Sequence, residues 1–257
     1  IDGKIIHNSD RPFTENLDDI PFISSVYKKH LNYKNYFYSH CRYPIISIFT
    51  SRGCNAKCTW CLYPQQMFGQ KARQRTAQNI VEEFLYIQKV FPDVKEVLID
   101  DDTFIFSKEF AKEFSELMIK NNISVPWSVE CRANLKLESM KLMKKAGCRL
   151  IVVGIESSND KILKLMKKGM TVKRIKKFVE DAKAAKVKIH ACYMAGNKGE
   201  TMETLEETLN FAKWVNADTS QFFPIMVYPG TEDYKWAKEN NYLDVKDYRQ
   251  WVTEEGL

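Results

Sequence analysis

The feature that most limits the fold is a repeated switch between two hydrophobic periods, running from Pro44 almost to the end of the 257-residue chain. Short apolar runs rich in β-branched residues read as strands at 45–50, 94–99, 125–129, 149–155, 187–194 and 221–228. Between them, apolar residues recur at helical spacing. Examples are Ile80, Phe84 and Ile87; Phe110, Phe114 and Leu117; Leu137, Met140 and Met143; Ile175, Phe178 and Val179; and Leu205, Leu209 and Ala212. A strand presents alternate residues to one face and a helix every third or fourth, so each run declares its own element. Pro92 and Gly147 mark helix ends, and Thr204-x-x-Glu207 reads as a capping box. Strands that alternate with helices build βαβ units and a parallel sheet. Six units, against the eight of a closed barrel, predict an α/β fold: a partial (β/α)6 TIM-like barrel, open on one side. Residues 1–43 fall outside the repeat and read as a linker or amino-terminal extension, with the barrel over 44–257.

Parallel barrels gather their chemistry at the carboxyl ends of the strands. Here every unit carries polar, charged or glycine-rich residues at that end. Cys54, Cys58 and Cys61 follow the first strand, and Asp100, Asp101, Asp102 and Thr103 the second. Glu130 and Arg132 lie at the end of the third, and Glu156 and Ser157 at the end of the fourth. Gly196 to Glu200 follow the fifth, and Tyr228-Pro-Gly-Thr231 the sixth. The three cysteines sit within eight residues, on a loop that can turn its sulfurs inward. A structural zinc site wants four nitrogen or sulfur ligands, and the four histidines all lie outside this loop. Three thiols also suit a disulfide poorly. The triplet reads as the ligand set of an iron–sulfur cluster whose fourth iron is left open.

Charge and composition narrow the class further. The net charge is +6, but Lys141, Lys144, Lys145, Lys167, Lys168, Lys176 and Lys177 are spread along helix faces and read as solvated surface. A second reading is a docking face for an acidic electron donor. No basic patch with interleaved aromatics points to nucleic acid. Seven cysteines, with three in one loop, point to a reducing compartment. No apolar run approaches the ~18 residues of a membrane span, so the expected location is cytoplasmic; peripheral membrane contact remains compatible with it.

The triplet with Trp60 just before its last cysteine resembles the signature of the radical S-adenosylmethionine (SAM) superfamily. Residues 99–104, 143–148, Gly154-Ile-Glu-Ser157 and Tyr228-Pro-Gly-Thr231 resemble the cobalamin-associated group of that superfamily. Within the group, the stretch before the cluster, Cys58 to Gln65 and the run from Phe211 to Gln221 are most similar to a hopanoid-biosynthesis enzyme. The resemblance implies a [4Fe–4S] cluster on Cys54, Cys58 and Cys61, with SAM bound to the open iron and cleaved reductively to a 5′-deoxyadenosyl radical. It also implies that Asp101, Asp102 or Thr103 accepts from the SAM ammonium, that Arg132 holds its carboxylate, and that Glu156 takes the ribose hydroxyls. Trp60 and the Tyr193–Met194 strand end would wall the adenine, only one of Tyr193 and Met194 facing the barrel; His190 and Cys192 are candidates to exchange a hydrogen atom or proton.

The same likeness implies a cobalamin-binding domain ahead of residues 1–43 in a longer protein. It implies reduced flavodoxin or ferredoxin as electron donor, and a small-molecule or lipid-linked sugar substrate whose ring is contracted to a cyclitol. The alternatives are cobalamin-dependent C-methyl transfer and an electron-transfer or redox-sensing iron–sulfur protein. Methylthiolation of transfer RNA fits less well. One departure from the family is Asn197-Lys198 where Leu-Pro is usual, which predicts a looser fifth-strand loop.

Overall fold

The computed structural model describes residue 3 and residues 5–104 and 107–243; the expected carboxyl-terminal bound at residue 257 lies outside the described residues. The amino-terminal segment contributes α1 (Ile23–His30), after which the barrel begins with β1 (Ile45–Ile48). A small hairpin of β2 (Ser51–Arg52) and β3 (Arg73–Gln74) brackets the cysteine loop. The repeat then runs α2 (Ala77–Val90), β4 (Glu96–Ile99), α3 (Lys108–Lys120), β5 (Trp127–Cys131), α4 (Leu137–Lys145) and β6 (Cys148–Glu156). It continues with α5 (Asp160–Leu165), α6 (Val172–Ala184), β7 (Lys188–Ala195), α7 (Met202–Val215), β8 (Thr219–Pro224) and α8 (Glu232–Glu239).

The main sheet has the order β1-β4-β5-β6-β7-β8, and every pairing in it is parallel. β1 and β8 are its two edges and do not pair with each other, so the barrel is partial and open, as the alternation predicts. All six expected strands are present within a few residues of their expected bounds. The sixth differs most: it starts at Thr219 and stops at Pro224, which leaves Tyr228-Pro-Gly-Thr231 as a turn ahead of α8. The expected capping box also moves by one turn. Thr201 is the N-cap of α7 and exchanges bonds with Thr204, because the hydroxyl of Thr204 reaches back to the Thr201 backbone N–H at 2.9 Å. Gly147 follows α4 with φ +97°, a left-handed position that favours glycine.

Strand alternation sorts the side chains. Ile46, Ile48, Val97, Ile99, Trp127, Val129, Ile151, Val153, Ile189 and Ala191 face outward and share one core with the helices. The intervening residues face the barrel interior. Trp127 is the centre of an aromatic cluster with Phe104 and Phe114, and its indole N–H donates to Ala146 O at 2.9 Å. Segment 17–43 is fastened to this frame by buried charge. Glu83 takes the backbone N–H and hydroxyl of Ser24 and pairs with Arg75 at 2.5 Å. At the floor, Glu96 pairs with Arg149 at 2.7 Å and accepts from Arg42 N at 2.8 Å.

Because Trp127 is fully buried and its N–H is bonded, Trp127→Ala is expected to destabilise the barrel by about 3–5 kcal/mol. Urea unfolding followed by circular dichroism measures this. A loss below about 1 kcal/mol would show that the helices collapse into the space.

Candidate active site

The cysteine loop is held to the barrel mouth from several sides. Asp101 is buried and accepts from the backbone N–H of Thr50 at 2.6 Å, from that of Ser51 at 2.9 Å, and from the Thr50 hydroxyl. Burial pushes its carboxyl up to about 6, against the pull of these bonds. Asp102 takes the N–H of Gly53 at 2.7 Å. Gly53 has φ +84°, and a Cβ there would collide with the carbonyl of Lys71. Further along, the amide of Gln65 donates to the carbonyls of Cys58, Thr59 and Cys61, each at 3.0 Å, and its oxygen accepts from Glu232 N at 2.9 Å. Thr59 donates its N–H to Met166 O at 3.1 Å and its hydroxyl to Asp233 at 2.9 Å. The loop thus hangs between α5 and the start of α8.

Within this frame Cys54 and Cys58 are buried and Cys61 is partly exposed. Burial pushes the Cys61 thiol up to about 11 and raises Cys54, and the neighbouring Cys58 acts on both in the same direction. A bound metal must displace those protons. Among the described residues no three His, Cys, Asp or Glu side chains already stand at the spacing of one bound ion. That spacing is the wrong test for a cubane, in which each thiolate bonds a different iron and the sulfurs stand farther apart. The three thiols on one loop and the guanidinium N–H that Arg132 aims at Cys58 Sγ (3.5 Å) fit a cluster ligated at three corners.

Next to Cys54 opens a cavity of about 1040 Å³ lined by Thr103, Arg132 and Lys168 among others. The hydroxyl of Thr103 is buried there without a hydrogen-bond partner. Arg132 donates its second terminal nitrogen to the carbonyl of Lys168, and it makes no ion pair with Glu130. Glu130 faces the interior near Asp100 and Asp101, and burial together with those carboxylates pushes it up to about 8. Glu156 sits at a break in the β6–β7 register, with φ +67°, and pairs with Lys168 Nζ at 2.7 Å. A bulge of this kind re-aims a side chain at a functional edge, and a non-glycine residue held left-handed stores strain. Gly154 makes room for the pair, since a Cβ there would run into Glu156 Oε1 and lie 2.9 Å from Lys168 Nζ.

Several expectations change on this geometry. Asp101 spends both carboxylate oxygens on Thr50 and Ser51, so it shapes the loop rather than facing the cavity as an ammonium acceptor. Tyr193 points outward into the helix-packed core and stacks on Phe222, whereas Met194 joins Trp60, Ile162, Met166 and Ile225 in one apolar cluster. His190 lies in the amino-terminal half of β7, packed against His40 with tilted rings at the floor and bonded to Thr219 at 2.8 Å, away from the mouth. Cys192 does share the interior with Glu156 and Lys168, and burial pushes its thiol up to about 12. The fifth-strand loop is not loosened. Asn197 is buried and donates to Met194 O at 3.2 Å, while Glu200 accepts the N–H groups of Gly196 and Asn197 at 2.6 and 2.9 Å.

Lys168 is the site residue that sequence reading missed. Read as solvated surface, it is only 5% exposed, pairs with Glu156, supports Arg132 and lies 5.5 Å over the Trp60 ring. A glycine following it was the only available signal, and a Lys-Lys-Gly run is far more often surface. Gln65 was visible only inside the family likeness.

A partial parallel barrel with a cysteine loop at its mouth defines the class, and the comparisons agree with it. Residues 48–212 match the family model of the Radical SAM superfamily, and the chain belongs to that superfamily. Its cofactors are accordingly a [4Fe–4S] cluster and SAM. The chain is 31% identical over 252 residues to an uncharacterized methyltransferase of Pyrococcus horikoshii, covering 98% of this chain and 53% of that protein. It is 26% identical over 210 residues to the cytidylyl-2-hydroxyethylphosphonate methyltransferase of Streptomyces wedmorensis, covering 78% and 39% respectively. The chain therefore spans about half or less of the length of these relatives. In fold it is similar to TsrM, a radical SAM methyltransferase of Kitasatospora setae solved with cobalamin and a [4Fe–4S] cluster. The TM-score is 0.70 and the identity 21%, over 76% of this chain and 39% of that one.

The Gln65 clamp leads to a direct expectation. Gln65→Ala removes the donor shared by three loop carbonyls, so a reconstituted cluster should be lost several-fold faster under chelator while the barrel stays folded. Iron release followed by absorbance, beside thermal unfolding of the same sample, checks both halves. Unchanged release would assign the loop's stability to Thr59 and its partners.

Proposed function

We propose that this chain is the radical-generating barrel of a cobalamin-dependent radical SAM C-methyltransferase. The observation that carries the reading is that Cys58, Arg132, Lys168, Glu156 and Trp60 join in one contact network at a single mouth. The names of the two curated relatives support methyl transfer over contraction of a hopanoid-linked sugar ring, which would use the same scaffold. An electron carrier or redox sensor would have no need of the Arg132, Lys168 and Glu156 arrangement.

In this reading Cys54, Cys58 and Cys61 hold the cluster, which when loaded supplies the electron that cleaves SAM. Arg132 and Thr103 receive the amino-acid end of SAM, the planar guanidinium matching the carboxylate with two parallel bonds. Asp102, half-buried beside the loop, complements the ammonium. Glu156, aimed by the bulge and steadied by Lys168, accepts the ribose hydroxyls, and Trp60 with Met194 walls the adenine. Cys192, kept protonated by burial, is placed to hold a transferable hydrogen. Cobalamin would be held by another part of the longer protein, with residues 1–43 leading from it into the barrel. Reduced flavodoxin or ferredoxin would supply the electron.

Anaerobic incubation of the reconstituted full-length protein with SAM, cobalamin and reductant should release both S-adenosylhomocysteine and 5′-deoxyadenosine. Deoxyadenosine alone would favour rearrangement, and neither product would remove the enzymatic reading. Arg132→Lys keeps the charge but not the fork, so SAM binding should weaken by at least tenfold, given charge-assisted bonds of about 1.5–3 kcal/mol. Equal dissociation constants by calorimetry would make Arg132 a purely structural partner of Lys168. Glu156→Gln keeps the size and breaks the ion pair. Deoxyadenosine formation at saturating SAM should fall at least tenfold, about 1.4 kcal/mol, with iron content unchanged. Full turnover would confine Glu156 to holding Lys168.

A further inference from the structure

A second cavity, of about 560 Å³, lies between the loop after β7, the segment after β8 and α8, and shares no lining residue with the cavity beside Cys54. Small-molecule sites are commonly of this size, roughly 300–1,000 Å³. Leu205, Ile225, Val227 and Ala237 make its walls largely apolar. Asn197 and Glu200 line it as well, and each keeps one oxygen, Oδ1 of the amide and Oε1 of the carboxylate, buried without a hydrogen-bond donor. The other polar atoms of both side chains are spent. Asn197 Nδ2 donates to Met194 O at 3.2 Å and to Glu200 Oε2 at 3.4 Å, and Oε2 also accepts the N–H groups of Gly196 and Asn197. These bonds fix the direction of the amide and hold the two head groups side by side. Asn197 is 4% exposed, so bulk water does not stand in for the missing donor, and a buried acceptor left unpaired is destabilising. Asn197 and Lys198 stand where Leu-Pro is usual, which supplies neither an acceptor nor a charge. Lys198 is the sole cation lining the cavity among the described residues. It lies 4.8 Å over the Trp236 ring and makes no ion pair with Glu200.

We infer that this cavity is a binding site for a small molecule bearing a guanidinium group on a short apolar stem. Two neighbouring acceptors call for a ligand with two N–H donors on one edge, and the carboxylate of Glu200 calls for that ligand to be a cation. A planar guanidinium meets both conditions, whereas an ammonium is a compact point charge. A calcium ion would want six or more oxygens around it, and these walls are largely apolar. The stem would run along Leu205, Ile225 and Val227, burying methylene groups against side chains that have no polar demand of their own. Asp233, the other carboxylate in the wall, already accepts from the Thr59 hydroxyl, which leaves Glu200 as the charge to be matched. Neither the cluster nor methyl transfer is needed for this site.

Anaerobic calorimetry on the reconstituted full-length protein, with N-butylguanidinium as probe, tests this. One equivalent should bind, equally well with and without saturating SAM. N-Butylurea has the same shape but no charge, and a carbonyl in place of one donor, so it should bind at least tenfold more weakly. Asn197→Leu puts back the usual residue and removes the free amide oxygen. It should weaken the guanidinium at least tenfold, while SAM affinity and iron content match wild type and the unfolding midpoint does not fall. Leu205→Trp, on α7, fills the cavity with both oxygens left in place and should weaken the probe by a similar factor. No binding at millimolar probe would overturn the site, as would equal affinity for N-butylurea or an unchanged affinity in Asn197→Leu. Displacement of the probe by SAM would place it at the cysteine mouth and overturn the site as well. If Asn197→Leu does not fold, Leu205→Trp decides, an unchanged affinity there counting against the cavity. A protein that binds no cluster would defeat the cofactor assignment while leaving the affinity for the probe measurable.

Discussion

The alternation of side chains along parallel strands is the constraint on which the rest of this molecule depends. One residue of each neighbouring pair goes outward into the helices, where only apolar groups such as Val97, Val129 and Ile151 pack without penalty. The other goes inward, and a six-stranded open barrel has too little apolar matter inside to fill itself. The interior can therefore hold Glu130, Glu156, His190 and Cys192 in a sheet whose outer face stays apolar. Ionisable groups take inward positions, and the outward ones build the core.

Buried charge does the joining. Glu83 ties α1 to α2 through Ser24 and Arg75, Glu96 ties the segment before β1 to β6 through Arg42 and Arg149, and Glu156 ties β6 to the turn after α5 through Lys168. Each pair is nearly removed from water, so truncating one partner would strand the other, a loss of about 3–5 kcal/mol. Their net contribution against apolar replacements is small by the same reasoning. What they add is position, since an ion pair with further hydrogen bonds has few acceptable geometries. At Glu156 the position is unusual enough to need a left-handed backbone and a glycine two residues earlier.

The cysteine loop follows a related logic. It forms no strand between Gly53 and Leu62, and it packs on the barrel's apolar surface through Trp60. Its backbone is held by the side chains of Asp102 at one end and Gln65 in the middle, and by the Asp233 N–H donated to the Thr59 carbonyl at 3.1 Å, while the Thr59 hydroxyl donates to the Asp233 carboxylate. A loop held this way has its carbonyls pinned while its sulfurs stay available.

From the sequence alone came the parallel barrel, its open side, the strand ends at which polar groups gather, and the cysteine triplet on its loop. These are local signals: hydrophobic period, turn residues and spacing within eight positions, all legible without knowing what lies across the fold. What only the tertiary structure decided is which polar groups face a cavity and which are spent on the frame. Asp101 and Asp102 are neighbours in sequence, yet Asp101 is consumed by Thr50 and Ser51. Tyr193 and Met194 are neighbours too, and the phase of β7 sends one to the core and the other to Trp60. Lys168 passes for surface until the turn after α5 folds over the mouth, and Gln65 acquires its role through Glu232, 167 positions away. Hydrogen bonds and ion pairs act over a few ångströms of space, so partners distant in sequence leave no periodic trace in the chain that encodes them.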